Sequence, residues 1–296
     1  MTGRTTLWFT VVLVLLGAGW GMTMPLTKIA VSTGYQHFGL LFWQMTIGAV
    51  VMTGLAVLRG VRLPWGYPQA RVYLIIALIG SVLPNSASYQ AAVHLPSGIM
   101  SILLSMIPIW AFPIALFLAL DRFEWRRFAG LVVGLLAVLV IVLPNADMAG
   151  AVSAFLGFVG LGWGPSFAVG GDARVGWGAA IVGAVIALPL AVLSGQWIDP
   201  RPPYGAADIA QAISATLHVL VYAGYVWLVG RAGPVFAVQV SFLVTLFGVF
   251  WARLILSEAY APTVWLALCL MLVGMFLVQP RRARVEERAP MGNSAR

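Results

Sequence analysis

The side chains that could do chemistry in this chain are polar groups set at helical spacing inside long apolar runs. Ser81, Asn85 and Ser88 follow one another at steps of four and three residues, which places them on one face of a helix. His218 and Tyr222 stand four residues apart in another apolar run. Groups of this kind can bind a small polar molecule by hydrogen bonds, and burying them without a partner would be costly. The stripes therefore predict a small-molecule site between helices.

Catalytic, metal and cofactor chemistry is weakly represented. The histidines at positions 37, 94 and 218 are far apart, and the single cysteine, Cys269, lies inside an apolar run. The sequence contains neither a metal-spaced set of His, Cys and Asp residues nor a phosphate-cradling Gly-Lys-Ser/Thr loop. We therefore predict no catalytic residue, no metal site and no cofactor. An intramembrane enzyme or a sensory membrane protein remains open as a lesser alternative.

The composition places these stripes in a membrane. Apolar residues make up 61% of the chain and charged residues 9%, and the mean hydropathy is +0.96. A water-soluble domain could not bury so much apolar surface, so we predict an all-α integral membrane protein with the lipid bilayer as a partner. The net charge of +8 comes from Arg residues between apolar runs and in the tail. That placement orients a chain in a bilayer, and we predict no nucleic-acid partner.

Ten apolar runs are bounded by charges, Pro and Gly, and each is long enough to cross a hydrocarbon core. We predict helices at about residues 6–27, 38–58, 71–93, 97–119, 127–143, 150–169, 176–194, 209–229, 235–256 and 262–279. Residues 281–296 carry an Arg cluster without apolar periodicity, and we predict a disordered basic tail there.

The distribution of positive charge predicts the orientation. With the N-terminus inside, 14 of the 17 Lys and Arg residues fall on the inner side of the membrane. Cytoplasmic loops retain such an excess, so we expect both termini to be cytoplasmic and the protein to lie in a bacterial inner membrane.

The two halves of the chain repeat one plan. A Pro-led apolar run ends at Asp121, and a similar run ends at Glu258, 137 residues later. Five predicted crossings separate these two turns, so they face opposite sides of the membrane. We therefore predict two inverted five-helix repeats, 1–145 and 146–280, an arrangement that transporters use for alternating access. The Gly-Trp-Gly sequences at 19–21 and 162–164 fit this division, although close helix packing explains them equally well.

Taken together, these motifs resemble the paired EamA domains of the drug/metabolite transporter superfamily over about residues 7–280. The resemblance is carried by the two Gly-Trp-Gly sequences, by Leu95-Pro96 with Pro108 thirteen residues before Asp121, and by Glu258 followed by Pro262, Trp265 and Gly274. Asp121 stands where Glu is usual in the family. The resemblance implies a ten-helix exporter or permease of small metabolites, similar to bacterial exporters of amino acids and related compounds.

We predict a substrate pathway from the polar and aromatic residues of the apolar runs. Its members are Trp20, Thr23, Lys28, Asn85, Ser88, Tyr89, Ser101, Ser105, Trp163, His218, Tyr222, Gln239 and Ser241. Lys28, the only Lys of the chain, stands at the outer end of the first helix. Its ammonium group could extend to the lipid headgroups, attract an anionic substrate or bond a carbonyl at an outer gate.

The mechanism that follows is transport without a buried carboxylate. No Asp or Glu falls in the middle of a predicted helix, whereas proton-driven pumps commonly use such groups as relays. Asp121 and Glu258 should cap or pair at helix ends. Transport is then either facilitated or coupled to protons through His218 alone. A channel-like facilitator is the alternative. The sequence leaves open the substrate, the direction of transport and the oligomeric state, although a monomer is compatible with it.

Overall fold

The computed structural model describes residues 3–117, 123–144, 146–158 and 173–278, and within these ranges the regular structure is entirely helical. The elements are α1 (Gly3–Val31), α2 (His37–Leu58), α3 (Tyr67–Ile75), a π-helical segment (Ile76–Val82), α4 (Leu83–His94), α5 (Ser97–Leu104), α6 (Met106–Phe117), α7 (Trp125–Val142), a 3₁₀ turn (Ala146–Met148), α8 (Ala149–Phe158), α9 (Ala173–Leu193), α10 (Ala206–Ala232), α11 (Pro234–Ala237), α12 (Val240–Leu256) and α13 (Pro262–Val278). Asp121, Trp163 and the basic tail lie outside the described residues.

Most predicted helices coincide with observed ones, and the departures have local causes. The helix predicted at 71–93 is the continuous stack of α3, the π-helical segment and α4. The helix predicted at 97–119 is broken at Ser105, between α5 and α6, and the helix predicted at 235–256 is broken after Ala237, between α11 and α12. Pro108 has no N–H to donate to the carbonyl of Leu104 four residues earlier, which weakens the helix there.

The helices have the length and composition of membrane spans. Six helical stretches among the described residues are long and apolar enough to cross a bilayer. Three further helices, α8, α12 and α13, are apolar but shorter, with 10 to 17 residues each. In lipid every backbone polar group must be bonded within its own segment, which helices achieve. The chain is therefore a multi-pass α-helical membrane protein.

Helices from the two halves of the chain pack against one another in pairs. The most extensive contacts join α7 with α13, α2 with α9, and α1 with both α10 and α12, and α5 also packs on α12. The pairs α7–α13, α2–α9 and α5–α12 each join helices in corresponding positions of the two halves predicted from the sequence.

Two of these crossings are close because glycines face each other. A Cβ atom added to Gly21 of α1 would lie 2.7 Å from the backbone nitrogen of Gly248 in α12. A Cβ atom added to Gly130 of α7 would lie 2.7 Å from the carbonyl oxygen of Gly274 in α13. Small residues let helix backbones approach in this way. Close packing thus accounts for Gly21 of the first Gly-Trp-Gly sequence.

Arginines at the start of α7 close the end of the last described helix. The Arg126 side chain donates to the carbonyl of Phe276 (2.9 Å), and buried Arg127 donates from Nε to the carbonyl of Val278 (3.0 Å). Cations are favourable beside the carbonyls of a helix C-terminus. The start of α7 and the end of α13 therefore lie at one end of the helix bundle.

Candidate functional site

A small polar cavity lies between α1, α2, α4 and α10, and we call it the central cavity. Its volume is about 20 Å³, close to the space that one water molecule needs. The lining consists of Trp20, Thr23, Met24, Thr27, Gln44, Asn85, Ser88, Tyr89, Ser214 and His218. Six of these residues belong to the pathway predicted from the sequence, namely Trp20, Thr23, Asn85, Ser88, Tyr89 and His218. The fold therefore brings predicted residues from three separate apolar runs to one place.

The threonines of α1 satisfy their hydroxyl donors within their own helix. Thr23 Oγ1 donates to the carbonyl of Trp20 (2.6 Å), and Thr27 Oγ1 donates to the carbonyl of Thr23 (2.8 Å). This back-bonding is the usual state of Thr in a membrane helix. Each hydroxyl oxygen still has acceptor capacity, so this wall can accept hydrogen bonds from a bound molecule.

The α4 wall is shaped by the π-helical turn that precedes it. Asn85 Nδ2 donates to the carbonyl of Ser81 inside that turn (2.8 Å), and Ser88 Oγ donates to the carbonyl of Pro84 (2.7 Å). Gln44 Nε2 of α2 donates to Asn85 Oδ1 at 3.3 Å. Such π-helical insertions occur frequently at functional sites. Here the bond from Asn85 to Ser81 ties the polar wall of α4 to the π-helical segment.

His218 meets the cavity beside an aromatic pair. The ring of Trp20 stands edge-on to His218, with centroids 5.7 Å apart, and edge-on to Tyr225 at 6.0 Å. Aromatic rings in this geometry attract one another weakly and hold each other in place. The imidazole is consequently fixed at the wall, where its nitrogen atoms can exchange hydrogen bonds or protons.

A chain of amide and phenol groups closes the central cavity on one side. The Tyr89 hydroxyl donates to Gln44 Oε1 (2.9 Å) and accepts from Gln211 Nε2 (2.9 Å). Gln211 Nε2 also donates to the carbonyl of Leu40 (2.8 Å). Tyr89 and Gln211 are both buried.

On the far side of Gln211 lies a second and much larger cavity, which we call the vestibule. Its volume is about 330 Å³. It is lined by Tyr35, Leu40, Trp43, Ile47, Ile198, Asp199, Pro200, Tyr204, Asp208, Ile209, Gln211 and Ala212. The Tyr35 hydroxyl donates to Asp208 Oδ1 (2.9 Å), and this hydrogen bond to a carboxylate raises the pKa of Tyr35. The wall is thus mainly aromatic and aliphatic, with two carboxylates near the loops.

Lys28 is bonded within the protein instead of extending to the headgroups, and this departs from the snorkelling interpretation. Its Nζ donates to the carbonyls of Ala92 (2.6 Å), Leu95 (3.1 Å) and Val93 (3.2 Å). An ammonium group has three hydrogens, so these contacts use all of them. Lys28 therefore closes the C-terminal end of α4, and of the predicted roles the bond to a carbonyl matches its position.

Glu258 performs the complementary task at the start of α5, which agrees with its predicted capping role. One carboxylate oxygen accepts from the backbone N–H (2.8 Å) and hydroxyl (2.9 Å) of Ser97, and the other accepts from the N–H of Gly98 (3.1 Å). Tyr260 donates its hydroxyl to Glu258 as well (2.5 Å). Burial and then this hydrogen bond raise the pKa of Tyr260, which keeps it a donor.

Ser101 and Ser105 lie in a packed helix interface and line neither cavity. Ser101 Oγ donates to the carbonyl of Ser97 (3.0 Å). The hydroxyls of Ser105 and Thr245 lie 2.5 Å apart, and because Thr245 Oγ1 donates to the carbonyl of Ser241 (3.0 Å), Ser105 acts as the donor between them. Both serines are fully buried. The Ser105 hydroxyl therefore joins the end of α5 to α12, as small polar residues commonly do in membranes.

The remaining predicted residues are dispersed. Tyr222 packs against α9, where a Cβ atom added to Gly176 would lie 2.7 Å from its ring. Gln239 is exposed just before α12, and Ser241 is only partly buried in the first turn. Trp163 lies outside the described residues. Neither Gln239, Ser241 nor Tyr222 lines the central cavity or the vestibule.

Sequence reasoning missed the two glutamines and Ser214. Gln44 is an isolated amide in the apolar run of α2. Gln211 and Ser214 extend the stripe of His218 and Tyr222 towards the start of α10, at helical spacing. The isolated amide of Gln44 and the spacing of Gln211 and Ser214 could both have been used to predict a cavity wall, since a polar side chain in a membrane helix needs a partner or a cavity. Among the described residues, moreover, no cluster of His, Cys, Asp or Glu could hold a metal ion.

Comparison with known proteins gives three findings. A sequence profile described as the EamA-like transporter family matches residues 7–143 and 172–279. A curated protein of Streptantibioticus cattleyicolor, named a "Probable terminal-alkyne amino-acid exporter", is 28% identical over 149 residues, which cover 49% of this chain and 48% of that protein. The chain therefore matches about half the length of this relative.

The third finding concerns the fold alone. A crystal structure described only as that of a protein superimposes on this chain with a TM-score of 0.63 and 17% sequence identity. The superposition covers 91% of this chain and 94% of the other. The arrangement of helices therefore occurs in a solved structure over nearly the whole chain.

Proposed function

The chain belongs to the EamA-like transporter family, and on that premise we propose that it carries a small metabolite across a bacterial inner membrane by alternating access. The observation that carries the proposal is the central cavity, whose polar wall is assembled from four helices inside an apolar bundle. Its present volume is far below the several hundred Å³ of an ordinary ligand pocket. Substrate binding therefore requires the surrounding helices to separate, as alternating access demands.

The lining favours an amino acid or a related compound as substrate. The walls of the central cavity offer hydroxyl, amide and imidazole groups together with the rings of Trp20 and Tyr89, and no Lys, Arg, Asp or Glu lines it among the described residues. A molecule without net charge fits such a wall, because an isolated charge would lose its hydration without a counter-ion. Neutral amino acids have no net charge, and the hydroxyl, amide and imidazole groups of this wall can form hydrogen bonds with their ammonium and carboxylate groups. The name of the Streptantibioticus relative supports the same class and an outward direction of transport.

The proposed architecture is ten spanning helices in two inverted repeats, residues 1–145 and 146–280, with both termini in the cytoplasm. Three packed pairs support it, since α7–α13, α2–α9 and α5–α12 all join corresponding helices of the two halves. A two-fold axis in the membrane plane would generate this pairing. The vestibule then opens to the outer side, where the excess of positive charge is absent.

Two forms of energetics are consistent with the site, namely facilitated transport and proton coupling through His218. His218 is the titratable imidazole on the wall of the central cavity. A pH gradient imposed on proteoliposomes separates these forms, because only proton coupling gives accumulation against a substrate gradient. Strong proton-driven accumulation that survives His218→Ala would contradict both.

The transport proposal is tested by counterflow. Purified protein is reconstituted into liposomes loaded with pools of unlabelled neutral amino acids, and entry of the labelled amino acid is followed. We expect saturable entry that depends on substrate inside. Flux that rises linearly with concentration and ignores internal substrate would indicate a channel. An absence of flux for every pool, with hydrolysis or modification of lipid instead, would indicate an enzyme.

The direction of transport is tested in cells. Cells that overproduce the protein should release the substrate faster and tolerate toxic amino-acid analogues better than cells carrying the His218→Ala variant. Higher sensitivity to the analogues would indicate uptake.

A further inference from the structure

The vestibule and the central cavity share one wall, and we propose that this wall is the outer gate of the transport path. It consists of the side chains of Gln44, Tyr89 and Gln211, which we call the gate. Gln211 lines the vestibule, whereas Gln44 and Tyr89 line the central cavity. A molecule passing between the cavities must therefore move these side chains. The inference rests on the proposed transport function and adds the residues that control access on one side.

The gate is held closed by hydrogen bonds between three helices. The Tyr89 hydroxyl from α4 lies 2.9 Å from Gln44 Oε1 of α2 and 2.9 Å from Gln211 Nε2 of α10. Gln211 is also anchored to the carbonyl of Leu40 in α2 (2.8 Å). Tyr89 is only 4% exposed and Gln211 also 4%. The hydroxyl thus serves as donor to one glutamine and acceptor from the other.

These bonds cross between the two halves of the chain. Gln44 and Tyr89 belong to residues 1–145, and Gln211 belongs to residues 146–280. Any rocking of one half against the other that opens the vestibule to the central cavity must break the bonds from Gln211 to Tyr89 and Leu40. The bond between Gln44 and Tyr89 lies within one half, so these two side chains can move as a unit.

The chemistry of the gate suits repeated opening. Amide and phenol groups form neutral hydrogen bonds, which are weaker than those of charged groups. After separation, water or a polar substrate can satisfy the same donors and acceptors. An ion pair at this position would be costly to separate in a low-dielectric interior. The gate can therefore close the path between the two cavities and still open again during each transport cycle.

Two neighbouring positions on α10 offer a matched test of access. Ala212 lines the vestibule and Ser214 lines the central cavity. Single cysteines are introduced at each position after the native cysteine is removed by Cys269→Ser. Spheroplasts are treated from outside with a membrane-impermeant, positively charged methanethiosulfonate reagent, and the rate of modification is measured. We expect Ala212→Cys to react rapidly and Ser214→Cys at least ten times more slowly.

Substitutions in the gate should change only the rate at which Ser214→Cys is modified. Tyr89→Phe keeps the ring but removes both hydroxyl contacts, and Gln211→Leu removes the anchor on α2. In either background we expect Ser214→Cys to react at least ten times faster, with Ala212→Cys unchanged. Tyr67→Phe serves as the matched control, because Tyr67 is exposed at the start of α3. A symmetrical size-exclusion peak establishes that each variant is folded.

The outcomes separate the gate from the transport proposal. Equal rates at Ser214→Cys with and without Tyr89→Phe and Gln211→Leu would overturn the gate, while counterflow could still succeed. Failure of Ala212→Cys to react from outside would overturn the outward placement of the vestibule and with it the sidedness of the gate. Failure of counterflow with a confirmed change in access would overturn the transport proposal alone.

Discussion

The junction of α4 and α5 uses charged side chains, whereas the central cavity is walled by uncharged polar ones. Lys28 and Glu258 meet at the short connection between α4 and α5, where the cation bonds the carbonyls that end α4 and the anion bonds the N–H groups that begin α5. The central cavity, in contrast, is walled by hydroxyls, amides and the imidazole of His218. Formal charge therefore serves helix ends, whose dipoles it complements, and neutral polarity serves the cavity.

The comparison teaches how a membrane helix bundle can keep its stability apart from its binding surface. Lys28 and Glu258 are bonded to backbone groups within the protein, so their charges are already engaged when a substrate passes. Groups in the cavity are bonded mainly through their donors and retain acceptor capacity. Substitutions at helix ends should consequently alter the free energy of unfolding, whereas substitutions in the cavity should alter transport.

The largest effect is expected for Glu258→Gln. The amide cannot present two anionic oxygens to Ser97 and Gly98, and its NH₂ group would face their donors. We expect the free energy of unfolding to fall by about 2 to 3 kcal/mol, measured as a lower thermal midpoint of the purified protein in detergent. Glu124→Gln is the control, since Glu124 is exposed and makes no side-chain cap bond before α7. Equal midpoints for the two variants would show that Glu258 does not hold α5.

A smaller loss of stability is expected for Lys28→Met. The change removes one cation from three carbonyls, two of which lie in the last turn of α4. We expect the free energy of unfolding to fall by about 1 to 2 kcal/mol, again measured as a lower thermal midpoint. The KM for carboxylate substrates should stay unchanged. Arg59→Met, an exposed change at the end of α2, is the control. A raised KM with an unchanged midpoint would instead place Lys28 on the substrate path.

For His218→Gln we expect a loss of transport without a loss of stability, the opposite of the two preceding variants. Counterflow should fall at least tenfold, which corresponds to about 1.4 kcal/mol of lost stabilisation along the transport cycle. The thermal midpoint should stay close to that of the parent, because glutamine can still donate and accept hydrogen bonds on the cavity wall. His94→Gln, at the exposed end of α4, provides the comparison. Full transport in His218→Gln would remove the imidazole from the mechanism.

The smallest effects are expected at two neighbouring serines of α4. Ser86 Oγ is buried and has no hydrogen-bond partner among the described atoms, so Ser86→Ala should stabilise the protein by up to about 1 kcal/mol. Ser88 faces the central cavity, so Ser88→Ala should reduce counterflow a few-fold with little change in the midpoint. The reverse pattern, with a loss of counterflow in Ser86→Ala and none in Ser88→Ala, would show that a position on the wall of the central cavity does not decide which hydroxyl supports transport.

The sequence predicted the helices well because lipid permits few alternatives to a long apolar helix. It also predicted part of the cavity wall, since Asn85, Ser88 and His218 are conspicuous in apolar runs. It did not reveal the partners of Lys28, because the three carbonyls lie in and just after the last turn of another helix and backbone carbonyls leave no trace in a sequence. Ser101 and Ser105 have the same spacing as cavity residues. Only the packing of α5 on α12 distinguishes a helix contact from a cavity wall.

The crossing of Gly130 with Gly274 has a mechanical consequence for the whole bundle. At that point the backbones of α7 and α13 touch, and a carbonyl oxygen occupies the space where any side chain would begin. Gly134, one turn further along α7, also lies against Gly274, so sliding one helix past the other by more than about one turn would bring a side chain into the contact, whereas a change of crossing angle would not. The contact therefore permits α7 and α13 to change their crossing angle and opposes an axial shift of one helix along the other.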